Sequence, residues 1–178
     1  MIRLRRADVR YKDTFIKAVK EVQAYKEVND STNWYKELDV KYLEENFQEY
    51  VAKILSQEKG ENLKEGHVPW TMFWIIEDSY KYVGRIGLRH SLNEFLKTYG
   101  GHIGYDIIPS ERKCGHATRA LKLCLREAIK MDMKQVLITC SKDNIASAKI
   151  IKNNGGIYQG ESFIEAHKET TMRFTIDL

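Results

Sequence analysis

The chain has 178 residues, with 29 Lys and Arg against 25 Asp and Glu for a formal net charge of +4, and 43% of its residues are hydrophobic. That length fits one domain over residues 1–178 with a sizeable core. The charges are interspersed, which excludes a polyelectrolyte tail and leaves no concentrated basic face for nucleic acid, and no apolar run approaches the ~20 residues that a membrane span needs.

Residues 2–5 alternate apolar and basic side chains, as a short strand does. Asp8 is placed to cap a helix whose Phe15, Ile16, Val19 and Val22 share one face. A second helix is predicted over residues 39–57. There Leu43, Phe47, Tyr50, Val51, Ile54 and Leu55 recur at three- and four-residue steps, with Glu44, Glu45, Glu49 and Lys53 opposite. The polar, glycine-bounded residues 60–66 form a loop. Past Pro69 the pattern turns to β, with strands at 70–76 and 82–88 as a hairpin and a third at 103–108. Residues 89–101 between them read as an irregular, chemically dense connection. A helix at 117–131 carries the stripe Ala117, Ala120, Leu121, Cys124, Leu125 and Ala128. It is followed by a buried strand at 135–140, which a right-handed crossover would reach if the two strands are parallel. A short helix at 144–153, ended by Gly155, and strands near Ile157 and at 172–176 close an α+β layer structure.

The most informative stretch is 103–118, where an apolar strand runs into a basic, glycine-containing turn that opens a helix. Such a turn cradles phosphate: its first N–H groups have no intrahelical partner, the helix dipole adds partial positive charge, and Gly115 and Ala117 let an anion approach the main chain. Arg112 and Lys113 add full charges. Basic residues oppose the dipole at that end, so a bound anion explains them better than solubility does. Neither a Walker loop nor a Gly-x-Gly-x-x-Gly fingerprint occurs. Cysteines 114, 124 and 140 include no Cys-x-x-Cys pair, so neither zinc knuckle nor disulfide framework is supported and a reducing, cytoplasmic setting is expected. No metal-ligand spacing joins the five histidines, and no metal is expected.

Arg112-Lys113-Cys114-Gly115-His116-Ala117 fits Arg/Gln-x-x-Gly-x-Gly/Ala, and Asn144-x-x-Ser147 follows the next strand ahead of Gly155-Gly156. Over roughly residues 70–160 this ordered series resembles the GNAT superfamily of acyl-CoA-dependent N-acetyltransferases, in the branch with Asn-x-x-Ser. The resemblance implies a mixed, mostly antiparallel sheet of about six to seven strands flanked by about four helices, with strands four and five splayed near Pro109. It implies acetyl-CoA as cosubstrate and direct transfer of the acetyl group to an amine. Arg112, Lys113, Cys114, Gly115, His116, Ala117 and Thr118 would then bind pyrophosphate. The Ile107 backbone would contact the pantetheine arm, and Asn144 and Ser147 would lie along the arm and near the sulfur.

Many relatives place a tyrosine general acid seven residues after the asparagine. Here that residue is Ile151, which leaves Ser147 or a water to support the departing thiolate. His102 is the leading base, with Glu94, His90 and Tyr99 as alternatives. Tyr25, Tyr35, Glu37, Glu44, Glu45, Tyr50, Glu94 and Tyr99 fall on the acceptor side and could welcome a cation. The expected acceptor is a small-molecule or peptide amine, without nucleic acid or membrane, and a homodimer is allowed. A non-catalytic acyl-CoA-binding regulatory module is the alternative function.

Overall fold

The structure, a computed structural model, describes residues 1–25, 34–78 and 80–178. Strands β1 (Ile2–Arg6), β2 (Trp70–Glu77), β3 (Lys81–Arg89) and β4 (Ile103–Ile107) pair in that order, each antiparallel to the next. A second antiparallel sheet has the order β5 (Gln135–Ser141), β7 (Glu169–Asp177), β6 (Ile157–Ile164). Helices α1 (Lys12–Ala24) and α2 (Val40–Ser56) cover one face of the first sheet, while α4 (His116–Lys130) packs on its other face. A single turn of helix, α3 (Glu94–Thr98), precedes β4, and α5 (Ile145–Asn153) follows β5. The expected α+β sheet-and-helix architecture is present. Among the described residues, no helix is long and apolar enough to cross a membrane.

Strand β2 reads as an unbroken apolar run because both of its faces are covered. Met72, Trp74 and Ile76 meet Phe15, Val19 and Phe47 from α1 and α2, whereas Phe73 and Ile75 join Leu121, Cys124 and Ala128 of α4. Phe15 stacks on Trp74 at 4.7 Å between ring centroids.

Three local readings are corrected. Asp8 caps the 3-10 turn Val9–Tyr11 by accepting from the Arg10 N–H at 2.9 Å, and α1 starts only after it. Asn46 interrupts α2 with φ −124° and ψ 34°, its side-chain amide donating to the Tyr42 carbonyl at 3.4 Å in competition with the helix. Residues 89–101 are not wholly irregular, since Asn93 caps α3 through the Leu96 N–H at 2.9 Å and buries Leu96.

Strands β4 and β5 are not laddered. Among the described residues one main-chain hydrogen bond joins them, from the His102 N–H to the Leu137 carbonyl at 2.7 Å, and beyond it the strands part. Gly101, at φ 59°, brings the chain against the Leu137 carbonyl so closely that a Cβ would collide there. The two sheets are therefore joined at the His102 end and, toward Pro109, leave a gap in the main-chain pairing.

Candidate acyl-transfer site

At the unpaired end, β4 leads into the 3-10 turn Pro109–Glu111. Glu21 near the end of α1 accepts from the Ser110 N–H at 2.8 Å and from its hydroxyl at 3.0 Å, which ties the turn to α1. Residues 112–115 then form an exposed loop with two left-handed positions, Lys113 at φ 63° and Gly115 at φ 77°. Gly115 is the N-cap of α4 and, lacking a side chain, satisfies none of the N–H groups of the first turn. No heavy atom would lie within 4 Å of a Cβ there, so conformation rather than crowding calls for glycine. Ala117 and Thr118 continue the first turn half-exposed, while Lys113 and Cys114 are exposed. Positive charge, free helix donors and open space thus coincide.

The Arg112 side chain turns back, donating to the Ile107 carbonyl at 3.3 Å, with its guanidinium 5.2 Å from the Tyr25 ring centroid. The Cys114 thiol donates to the Arg112 carbonyl at 3.4 Å. His116 is buried beneath the loop rather than presented to it.

In the gap, the Ile108 N–H bonds the Val83 carbonyl of β3 at 3.1 Å, so strand alternation turns the Ile107 N–H the other way, toward β5. Tyr105 and Ile107 share one face and both pack on the cluster beneath α4 and α5. The Tyr105 hydroxyl lies 2.9 Å from the Ser147 hydroxyl. Burial pushes the phenol up to about 12, opposed by the Ser147 hydrogen bond. The Cys140 thiol is also pushed up by burial and pulled down by Ser147. Asn144 caps α5, accepting from the Ser147 N–H at 2.9 Å, and so sets where that hydroxyl points. Ile151 is fully buried in the core. The phenol beside Ser147 is that of Tyr105, which comes from β4 rather than from α5.

The opposite face of β4 carries Asp106, registered across from Arg85 of β3. Arg85 Nε and Asp106 Oδ2 are 2.7 Å apart, and the guanidinium stacks 3.9 Å over the Trp34 ring. Burial pushes the Asp106 carboxyl up, and Arg85 pulls it back down. Tyr35 and Tyr82 share a hydroxyl contact of 2.7 Å nearby. Charged residues within the apolar runs 82–88 and 103–108 were the signal for this pair.

His102 sits at the joined end as a pin. Its Nδ1 accepts from the Leu137 N–H at 2.9 Å while its own N–H donates to the Leu137 carbonyl, and burial holds its pKa below the usual histidine value. An imidazole that accepts through Nδ1 carries its proton on Nε2, so it has no lone pair to offer a substrate. Among the other candidates, His90 contacts the Thr71 hydroxyl at 2.9 Å, Glu94 pairs with Lys97 at 2.6 Å, and Tyr99 stacks on His167 at 4.3 Å. Of the residues expected to welcome a cation, Tyr35 and Tyr50 are core, Glu44 pairs with Lys20, and Glu37 pairs with Lys64.

The model of the acetyltransferase (GNAT) domain family matches residues 2–157. Several solved structures align over 99% of the chain. An acetyltransferase from Salmonella typhimurium that modifies the N-terminal serine of ribosomal protein L7/L12 has TM-score 0.68 and 16% identity, with 95% of its own chain covered. RimJ of Mycobacterium smegmatis, in complex with CoA-disulfide, has TM-score 0.69, 16% identity and 81% covered. The microcin C7 self-immunity acetyltransferase MccE, in complex with acetyl-CoA and AMP, has TM-score 0.69, 14% identity and 92% covered. At these identities the likeness establishes the fold. No curated protein sequence matches significantly.

Proposed function

The chain belongs to the GNAT acetyltransferase family, and from that premise we propose that it transfers the acetyl group of acetyl-CoA directly to an amine, with β4 and β5 flanking the thioester. The observation that carries this reading is that the main-chain pairing of β4 with β5 stops at the His102–Leu137 bond, leaving the Ile107 N–H turned toward β5 just ahead of an uncapped helix N-terminus. In this reading residues 112–118 hold the pyrophosphate, chiefly through backbone N–H groups, and the pantetheine arm runs along Ile107 and Asn144.

The neutral amine attacks the thioester carbonyl carbon. The Ile107 N–H steadies the oxyanion, an effect worth about 3 kcal/mol in other acyl transfers. The tetrahedral intermediate then collapses, the C–S bond breaks, CoA leaves as thiolate, and the ammonium proton passes to solvent. Ser147, with Tyr105 behind it, donates a hydrogen bond to the developing thiolate. The order of acidities decides against full proton transfer. A phenol at about 12 lies some 3.5 units above an ordinary thiol, so protonating the thiolate would be uphill by roughly 5 kcal/mol. His102 supports the gap and is not assigned as the base.

The similar structures include enzymes named for ribosomal-protein acetylation and for microcin self-immunity, so the proposed acceptor is defined only as an amine. The test is a panel of polyamines, amino acids, aminoglycosides and peptides with free N-termini, read by released thiol and by acetamide in the product. Turnover of at least one amine, lost in a folded Gly115→Asp variant, supports the reading. Tight CoA binding without turnover of any panel amine counts against it.

A further inference from the structure

Behind the cradle, Glu77 at the end of β2, Glu111 in the 3-10 turn and His116 at the start of α4 converge, their ligand atoms all within 4.8 Å of one another. From this geometry we propose that Glu77, Glu111 and His116 form a binding site for one divalent first-row cation of the zinc class. His116 is only 5% exposed, and Nε2 points between the carboxylates at 3.7 Å from Glu77 Oε1 and 3.6 Å from Glu111 Oε2. Those separations are too long for hydrogen bonds, which run at about 2.7–3.2 Å. They fall close to the spacing of about 3.4 Å between ligand atoms each roughly 2.1 Å from a tetrahedral zinc. Nδ1 also lacks a partner among the described residues, so this buried imidazole makes no hydrogen bond through either nitrogen. A cation would leave Nδ1 as it is; what it accounts for is Nε2, set between two carboxylates at distances too long for hydrogen bonds.

Lys81 sits on the opposite edge of the same carboxylates, its Nζ 2.6 Å from Glu111 Oε1 and 3.7 Å from Glu77 Oε2. Each carboxylate therefore gives one oxygen to the ammonium and keeps the other beside the imidazole. The lysine need not leave. It orients the ligands from outside, as outer partners of metal sites do, and two carboxylates against one ammonium leave a net negative charge for the cation. That charge offsets the unfavourable field of the helix N-terminus. One imidazole nitrogen with two carboxylate oxygens suits zinc or cobalt better than magnesium, which prefers an all-oxygen octahedron.

Glu111 and His116 flank residues 112–115, so a bound cation staples both ends of that loop to the β2–β3 hairpin. Resting on the reading that the loop holds CoA, the cation is expected to tighten CoA binding, because the loop is then ordered beforehand.

The test uses the metal-stripped full chain in a Cys114→Ser background, titrated without CoA by calorimetry with zinc chloride and by visible spectroscopy with cobalt chloride. The expected result is one cation per chain with a tetrahedral cobalt spectrum, little response to magnesium, and affinity lowered at least about tenfold in Glu77→Gln and in Glu111→Gln. Both substituted residues lie outside the cradle, and thermal unfolding verifies that the variants fold. Absence of saturable binding in the parent, or undiminished affinity in Glu77→Gln, overturns the site. Titrating CoA into the metal-free protein separates the two readings. Zinc binding without CoA binding sinks the transferase reading alone, and CoA binding without zinc binding sinks the cation site alone.

Discussion

Replacing Ser147 by Ala tests how the thiolate is supported. The substitution removes the hydroxyl that lies 2.9 Å from the Tyr105 phenol and leaves that phenol only the Ser147 carbonyl at 3.5 Å. A hydrogen bond to a charged group contributes about 2 kcal/mol, and the charge exists only as the C–S bond breaks, so kcat should fall about 30-fold with KM for acetyl-CoA little changed. Folding stability should drop by about 1 kcal/mol, because a half-buried phenol loses its good partner. The assay is steady-state turnover with acetyl-CoA and with an acetyl thioester of a more acidic thiol. The deficit should shrink with the better leaving group, which needs less support. Tyr105→Phe should show the same leaving-group dependence more weakly, and the double variant should fall little below Ser147→Ala, since the two hydroxyls act as one unit. An unchanged kcat in Ser147→Ala, or a deficit independent of the leaving group, refutes the reasoning.

Gly115→Asp forces a left-handed position onto a side chain and sets a carboxylate where phosphate binds. CoA affinity by calorimetry should collapse, while Lys113→Ala weakens it less. His102→Ala removes the acceptor of the part-buried Leu137 N–H and should cost about 1 kcal/mol of stability by denaturant unfolding. Because burial holds the folded-state pKa of His102 below its unfolded value of 6.5, its linkage makes stability fall as pH drops below about 6.5, where the unfolded chain takes up the proton first. His102→Ala should flatten that decline, and a decline of unchanged slope in the variant rejects the assignment. Asp106→Ala leaves the Arg85 guanidinium in the interior without its carboxylate and should destabilise by about 3–5 kcal/mol, whereas a loss below 1 kcal/mol would show that the pair is solvated.

The features legible in the sequence are those carried by local pattern. The period of residues 43–55, the unbroken apolar run at 70–76 and the glycine after Arg112-Lys113-Cys114 each depend on neighbours a few residues away, and each element formed where it was expected. The site features that escaped depend on tertiary register. Tyr105 and Ser147 are 42 residues apart and meet only because β4 and α5 face the same gap. Arg85 and Asp106 meet because β3 and β4 pair in one particular register, which no local spacing encodes. The sequence offers His102 as a base by its place at the start of the strand that ends at the cradle. The hydrogen bond that its Nδ1 accepts comes from the Leu137 N–H, on a strand 35 residues onward. Glu77, Glu111 and His116 lie on three elements, beyond the reach of any metal-ligand spacing.

Direct transfer across the β4–β5 gap is most plainly tested by intact-protein mass spectrometry after incubation with acetyl-CoA, first alone and then with an amine that the panel shows to be turned over. The protein mass should stay unchanged in both, with CoA and acetamide appearing one for one only when the amine is present. An acetyl group on Cys114, Cys140 or Ser147 that forms without the amine and is discharged by it would contradict direct transfer and replace it with a covalent acyl-enzyme.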